Sequence, residues 1–434
     1  MARVLLGTFI ILHGLVHAWY IILSQKWIAF RPEMGFSGRS WLFTPLLGDP
    51  AARAAAAIVY ALAGLGLVAG GIGWLTRANW GAPLLAAAAG LSALGIILFW
   101  DGSGQHIVEK GLLGLLISLG LLGFGLMYAR FSAEISAARQ EITSLGSQVV
   151  DTPCGPIEYA VTGSGASVLV VHGNAGGFDH GLTMASGYID AGYQVISLSR
   201  FGYLRTPMPA DATVEQQADA FACLLDALKI DKAAVFTSSA GVTASVMFAL
   251  RHPERVTALV LHSPNAPAEK VGLTPPPQAV FKTLMGHDFL WWACATYLRP
   301  VFQTFVGVPK GFALTPQDLS EVEKVLRQVN PSGARVDGLL FDTYVGNPII
   351  NAIPLEAVRT PTLVISAVDD PMALHSSAVT LAERIPGASL MPIADGGHLM
   401  LGHTEEVRHA VGNFLQAQSA GVMIEEMHSQ ITVY

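Results

Sequence analysis

Charge is what this chain has least of. Of its 434 residues only 13% are Asp, Glu, Lys or Arg, against 52% that are hydrophobic, whereas an ordinary soluble protein carries roughly 25% charged residues. Such a balance points to a part that lives in a membrane. No basic excess is present either. The net charge is -7, and it divides unevenly: residues 1–128 hold 7 Lys/Arg against 4 Asp/Glu, and residues 129–434 hold 18 against 28. An acidic second half excludes a nucleic-acid grip. Cysteine is scarce as well. Cys154, Cys223 and Cys294 are odd in number and far apart, a spacing that spells neither a disulfide framework nor a zinc site, so reduced structural thiols are the expectation.

What the chain has in abundance is long runs without any charge. Val4–Leu23, Ala54–Leu75, Trp80–Trp100 and Gly111–Tyr128 contain no Asp, Glu, Lys or Arg, and each approaches the roughly 20 residues that cross hydrocarbon as a helix. Four transmembrane helices are expected. Trp19, Trp27, Trp41, Trp74, Trp80 and Trp100 lie at or beyond the ends of these runs, where an aromatic belt belongs. Gly66 and Gly70 form a small-xxx-small pair suited to close helix packing, with Gly120 and Gly123 in the fourth run. His13 and His17, four apart, share a face of the first helix. They can hydrogen-bond inside the bundle or ligate a metal or haem, but no third ligand is evident beyond His106 in a loop, so internal hydrogen bonding is the expectation and no metal or cofactor is assigned.

Orientation is balanced. Lys26, Arg31, Arg39, Arg53 and Lys110 pull one way, and Arg3, Arg77, Arg130, Arg139 and the terminal amine pull the other. Reduced cysteines and the lack of a cleavage pattern after the first run favour a cytoplasmic second half.

After the fourth run the pattern changes. The stretch 130–146 reads as an amphipathic linker, with Phe131, Ile135 and Ile142 at helical spacing. Short β-type runs follow, Gln148–Asp151, Ile157–Val161 and Val168–Val171, and then strands alternate with helices through Gln194–Leu198, Val214–Leu228, Ala233–Phe236 and Thr257–Leu261. Such alternation predicts a mostly parallel sheet covered on both faces. The segment of about 264–357 breaks the rhythm with aromatics and prolines and reads as an inserted cap, helical around Phe281–Leu298 and Leu319–Gln328. Alternation resumes at Thr362–Ser366, Ala378–Arg384, Ser389–Ile393 and Glu405–Gln416. Residues 419–434 stay unassigned.

The chemistry sits at the predicted strand ends. Thr237-Ser238-Ser239-Ala240-Gly241 joins a strand to a helix, and a serine on such a sharp turn can be held within reach of a base. Ser239 is the better register, because Gly241 then stands two places later and lets the turn close. His172-Gly173-Asn174-Ala175-Gly176-Gly177 follows another strand, where backbone N–H groups can face a developing oxyanion. His398, in Asp395-Gly396-Gly397-His398, is the candidate base, and Asp370, with Asp369 in reserve, is the carboxylate to orient it. Ser, Asp and His thus occur in that order, each after its own strand.

In these features the chain resembles the α/β-hydrolase fold family over residues 147–418, with Pro386-Gly387-Ala388 and Arg251-His252-Pro253-Glu254-Arg255 also similar to the family. The resemblance implies an α/β, doubly wound sheet with a helical cap, preceded by an all-α domain of four transmembrane helices (1–129). It also implies Ser239 as nucleophile, His398 as base and later acid, Asp370 as its partner, and the amides of Asn174 and Ala240 as oxyanion hole. Dehalogenases and epoxide hydrolases of this fold carry an aspartate at the elbow, so a serine there points to hydrolysis of an ester or related acyl bond, with carbon–carbon cleavage of a diketone as a narrower possibility. Met285, Phe289 and Trp292 of the cap are candidates to meet the acyl part, although aromatics at helical spacing also serve as core. A small-molecule or lipid-like ester and the bilayer itself are the expected partners, with no cofactor. Thr237 stands where the elbow's first small residue usually lies, and on it rests the alternative of a membrane-bound module that binds without turnover.

Overall fold

In the computed structural model, which describes residues 1–29, 31, 34, 39–268 and 274–431, the chain divides into two compact units, Met1–Glu134 and Ile135–Tyr434. The last three residues of the unassigned tail lie outside the described residues. Described side chains end at residue 419.

The first unit is built on helices Ala2–Ser24, Asp49–Leu75 and Gly81–Leu98 and the start of Leu113–Ser144. All four are long and apolar enough to cross a membrane. Glycine sets how closely they approach. A Cβ on Gly14 would lie 2.9 Å from the carbonyl of Gly64, and one on Gly64 would lie 2.9 Å from that of Gly14, so the first two long helices meet backbone to backbone where neither has a side chain. The two histidines bond within the bundle, as expected. His17 Nδ1–H donates to the carbonyl of His13 at 3.0 Å, its Nε2 meets Ser92 Oγ at 2.7 Å, and His13 Nε2 lies 3.3 Å from Ser118 Oγ. Ser92 and Ser118 close the chain at 2.8 Å. A polar group buried among apolar helices costs several kcal/mol unless it finds such partners. The stretch expected as a linker is helical to Ser144, as the continuation of Leu113–Ser144.

The second unit is an eight-stranded sheet in the order β1-β2-β4-β3-β5-β6-β7-β8. Its strands are β1 Gln148–Thr152, β2 Gly155–Gly163, β3 Ala166–Val171, β4 Tyr193–Leu198, β5 Ala233–Ser238, β6 Val256–His262, β7 Thr362–Ala367 and β8 Ser389–Ile393. The first two run antiparallel to their neighbours and the rest are parallel. Parallel strands buried on both faces must be nearly all apolar, and Val168–Val171 with Ala233–Phe236 meet that demand without any exposed residue. Alternate residues divide between two cores. Leu169, Val171, Val235, Leu259 and Val364 point to one face, and Val168, Val170, Phe236, Val260 and Ile365 to the other.

Two features differ from the sequence reading. The helix Phe178–Tyr188 between β3 and β4 is missed by periodicity, since Gly181, Ser186 and Gly187 dilute its apolar face; Gly181 is required, because a Cβ there would strike Ser197. The cysteine expectation is corrected: Cys154, in the β1–β2 turn, and Cys223, in the helix Val214–Ala227, form a disulfide across 69 residues, and only Cys294 is free. A tight hairpin turn packed on a helix brings together two residues whose sequence spacing gives no sign of it.

The cap lies between β6 and β7 and contains helices Gln278–Met285, Asp288–Tyr297, Arg299–Phe305, Pro316–Gln328 and Val336–Phe341. The long run Phe281–Leu298 is thus two helices, broken at Gly286-His287. A separate apolar cluster of Phe281, Met285, Trp291, Phe302, Val322 and Leu326 holds the cap together, and Ala175 and Leu401 from the sheet side join it.

Candidate active site

Parallel strands put all their C-terminal ends on one edge, so loops that are far apart in sequence open side by side. The loops after β3, β4, β5, β7 and β8 supply the site.

At the end of β5, Ser239 has φ +52°, a left-handed conformation that costs a non-glycine residue about 1–2 kcal/mol. Its backbone is fixed on both sides: Ser239 N–H donates to the carbonyl of His262, and the carbonyl of Ser239 accepts from Val242 and Asn265. Two glycines make room. A Cβ on Gly241 would lie 2.6 Å from the His172 carbonyl and 2.8 Å from Thr237 Oγ1, and one on Gly173 would lie 3.1 Å from Ser239 Cβ. The branched Thr237 side chain is therefore accommodated in this elbow by the bare Cα of Gly241, with its hydroxyl buried and unpaired.

His398 Nε2 accepts a hydrogen bond from Ser239 Oγ at 3.0 Å, and its Nδ1–H donates to Asp370 Oδ2 at 2.8 Å. The other oxygen of Asp370 accepts from the backbone N–H groups of Met372 and Ala373 at 2.8 and 3.0 Å. Three hydrogen bonds thus hold the carboxylate in one orientation. Asp369, the reserve candidate, does something else: it accepts from the amides of Gly396 and Gly397 and so fixes the turn that carries His398. The carbonyl of His398 accepts from Ser263 Oγ at 2.8 Å, and its N–H donates to the carbonyl of Gly307 at 3.0 Å. Ser263 and Gly307 are not marked by any sequence motif.

Burial disfavours an imidazolium at His398, yet the charge of Asp370 and its hydrogen bond outweigh that penalty and hold the ring's pKa above the ordinary 6.5. A base works in its neutral form, so with His398 as the proposed base the acidic limb of kcat/KM is expected above pH 6.5. In Asp370→Asn the charge is gone and a neutral amide faces the ring; the limb is expected to move to lower pH, while the plateau drops on the order of 10⁴-fold. A pH–rate series on the two proteins checks both the shift and its sign. His262, buried at the end of β6 with Nδ1 3.3 Å from Ser238 Oγ, is pushed down to about 3 by burial and by the nearby His398. It therefore stays neutral beside the reacting groups.

The glycine-rich loop after β3 is held by buried charge. Arg200, at the end of β4, donates through Nε to the carbonyl of His172 and through Nη2 to that of Gly173, both at 3.1 Å, and pairs bidentately with Asp342 of the cap at 2.5 and 2.6 Å. Tyr203 donates its hydroxyl to Asp342 Oδ2 at 2.5 Å, with Asn174 Oδ1 3.2 Å from the same hydroxyl oxygen, and Asn174 Nδ2 donates to Thr343. The side chain of Asn174 is thus held by Tyr203 and Thr343. A second cap residue, Arg335, pairs with Asp179 and donates to the carbonyl of Gly176.

Of the cap candidates, Met285 and Trp292 are buried and Phe289 is half-buried, with its ring stacked on Trp292 at 6.0 Å. Met285 packs within the cap's own cluster. Among the described residues no group of three or more metal-ligating side chains occurs.

Comparison with known proteins agrees with this fold. Residues 166–402 match the model of the alpha/beta hydrolase fold. The chain is 28% identical over 262 residues to the uncharacterized hydrolase YcgS of Bacillus subtilis, covering 57% of this chain and 89% of that one. It is 26% identical over 266 residues to the 2-hydroxymuconate semialdehyde hydrolase of Pseudomonas putida, covering 59% and 90%. A solved alpha/beta hydrolase fold protein from Nakamurella multipartita superimposes with a TM-score of 0.51 at 27% identity, covering 63% of this chain and 99% of that one.

Proposed function

Since the chain belongs to the alpha/beta hydrolase fold family, we propose that it is a membrane-anchored serine hydrolase that cleaves an ester or related acyl bond through Ser239, His398 and Asp370. The observation that carries this reading is the unbroken line of hydrogen bonds from Asp370 through His398 to a serine on a strained turn.

Each group then has a task. His398 Nε2 takes the hydroxyl proton as Ser239 Oγ bonds to the acyl carbon, and the negative charge moves to the carbonyl oxygen, where the amides of Asn174 and Ala240 receive it. His398 returns the proton to the departing alkoxide as the carbon–oxygen bond breaks, leaving an acyl-serine. Water, losing a proton to the same nitrogen, attacks the acyl carbon; Ser239 departs with that proton and the acid is released. Asp370 keeps Nδ1–H in place and offsets the charge on the ring. Met285, Phe289 and Trp292 are the cap residues proposed to meet the acyl part.

The test is labelling of the full chain by a fluorophosphonate, together with hydrolysis of p-nitrophenyl esters of graded length. Labelling and ester turnover are the expected result. A folded chain that takes no label sinks the catalytic reading and selects the binding module. The relative named for 2-hydroxymuconate semialdehyde favours a second substrate class, because a semialdehyde has no ester bond and its hydrolysis must break a carbon–carbon bond beside a carbonyl. Labelling accompanied by turnover of such a keto-dienoate and not of esters would select it.

The four apolar helices support anchoring in a bilayer. The Cys154–Cys223 disulfide removes reduced cysteines as the ground for a cytoplasmic hydrolase unit, and we propose instead that the unit faces the oxidising side, where disulfides persist. In cells quenched with acid and then alkylated with PEG-maleimide, one cysteine is expected to react before reduction and three after it. Three reacting without reductant would return the unit to the cytoplasm.

A further inference from the structure

We infer that Gly307, a cap residue, is a positioning residue for His398, so that the cap sets the place of the base as well as covering it. The inference rests on the proposed triad. Helix Arg299–Phe305 ends in a left-handed residue at Gly307, φ +83°, with Gly307 N–H donating to Thr304 and Val308 N–H to Gln303. Such an ending is a common use of glycine, and it would account for the residue if nothing lay beyond it. Here the turn aims the Gly307 carbonyl at His398, whose N–H donates to it at 3.0 Å. It also brings the bare Cα against the base.

A Cβ at 307 would overlap His398 Cβ and would come within 3.1 Å of His398 Cγ and 3.1 Å of Met372 Sδ. Met372 in turn donates its amide to Asp370. A single methyl group at 307 therefore pushes on the base and on the residue that holds the base's carboxylate. The turn that carries His398 is itself packed closely on the same cap segment. A Cβ on Gly397, the neighbour of His398, would itself meet the Gly307 carbonyl and Pro309 Cδ, and the His398 carbonyl is tied to Ser263. On this inference the ring yields, which lengthens its 3.0 Å contact with Ser239. A displacement of about 1 Å at a reacting group costs on the order of 100-fold in rate.

Two other substitutions separate this from the helix ending and from backbone strain. Asparagine accepts left-handed φ, so Gly307→Asn keeps the helix ending yet adds the Cβ. Gly311, also in the cap, has φ +84° with nothing within 4 Å of a Cβ, so Gly311→Ala carries the strain without the contact. Expected for both Gly307→Ala and Gly307→Asn is a fall in kcat on the order of 100-fold, with KM little changed, and fluorophosphonate labelling slowed in step. Gly311→Ala should keep the parental kcat. Parental kcat and labelling in Gly307→Asn would overturn the inference while leaving the triad standing, as would a loss in Gly311→Ala equal to that in Gly307→Ala. A parent chain that takes no label and turns over no substrate overturns both.

Discussion

Alanine at position 239 is expected to lower kcat on the order of 10⁶-fold, to abolish covalent labelling by a fluorophosphonate, and to leave the melting temperature near that of the parent. The three readouts come apart because the hydroxyl contributes little besides its bond to His398, whereas the backbone that shapes the elbow is held by other groups. The carbonyl of His262 accepts from the residue-239 amide, and Val242 and Asn265 donate to its carbonyl, whatever the side chain. Glycine at 239 should be as inactive as alanine but about 1 kcal/mol more stable, since it relieves the left-handed strain that the elbow imposes at φ +52°. Kinetics, labelling and thermal melts on the three proteins check this set. Retention of labelling in Ser239→Ala would move the nucleophile to another residue, with Ser238 the first to examine.

The second large effect is expected at the buried ion pair between Arg200 and Asp342. Both side chains are 2% exposed, and Asp342→Asn leaves the guanidinium buried without its counter-charge. Breaking a buried pair in this way costs about 3–5 kcal/mol, which for a unit of this size lowers the melting temperature by roughly 6–20 °C. Arg200 also holds the carbonyls of His172 and Gly173, so stability and activity should respond differently to repair. In the double variant Arg200→Met/Asp342→Leu, apolar side chains remove the stranded charge and recover most of the melting temperature. They cannot donate to those two carbonyls. The loop carrying the Asn174 amide stays loose and kcat stays low. Melting curves and kcat on the single and double variants decide it: full recovery of kcat with the melting temperature would show that Arg200 serves stability alone.

Several residues are legible from the amino-acid order, each for a physical reason. The elbow is readable because a serine, two small residues and a flanking strand and helix are all local. Asp370 and His398 are readable because each follows an apolar run that can only be a buried strand. The choice between Asp369 and Asp370 is not, since both follow the same strand and only the packing of the Gly396–Gly397 turn assigns one to amides and the other to the imidazole. Thr237 shows as a departure, and its accommodation opposite Gly241 becomes visible only when the distance to that Cα is fixed. The helix Phe178–Tyr188 escapes notice because Gly181, required beside Ser197 of the sheet, breaks its apolar periodicity.

By itself the sequence determined the things that depend on neighbours along the chain. These are four long charge-free runs, a sheet of alternating strand and helix, an interrupting cap, and a serine, an aspartate and a histidine at strand ends. Tertiary structure alone decided the pairs that are remote in sequence: Cys154 with Cys223, Arg200 with Asp342, and Gly307 with His398. Propensity and periodicity report what a short segment prefers, and they carry no record of which segment packs beside it. A carbonyl that fixes a base, or a missing Cβ that gives it room, exists only once two distant stretches of chain share the same few ångströms.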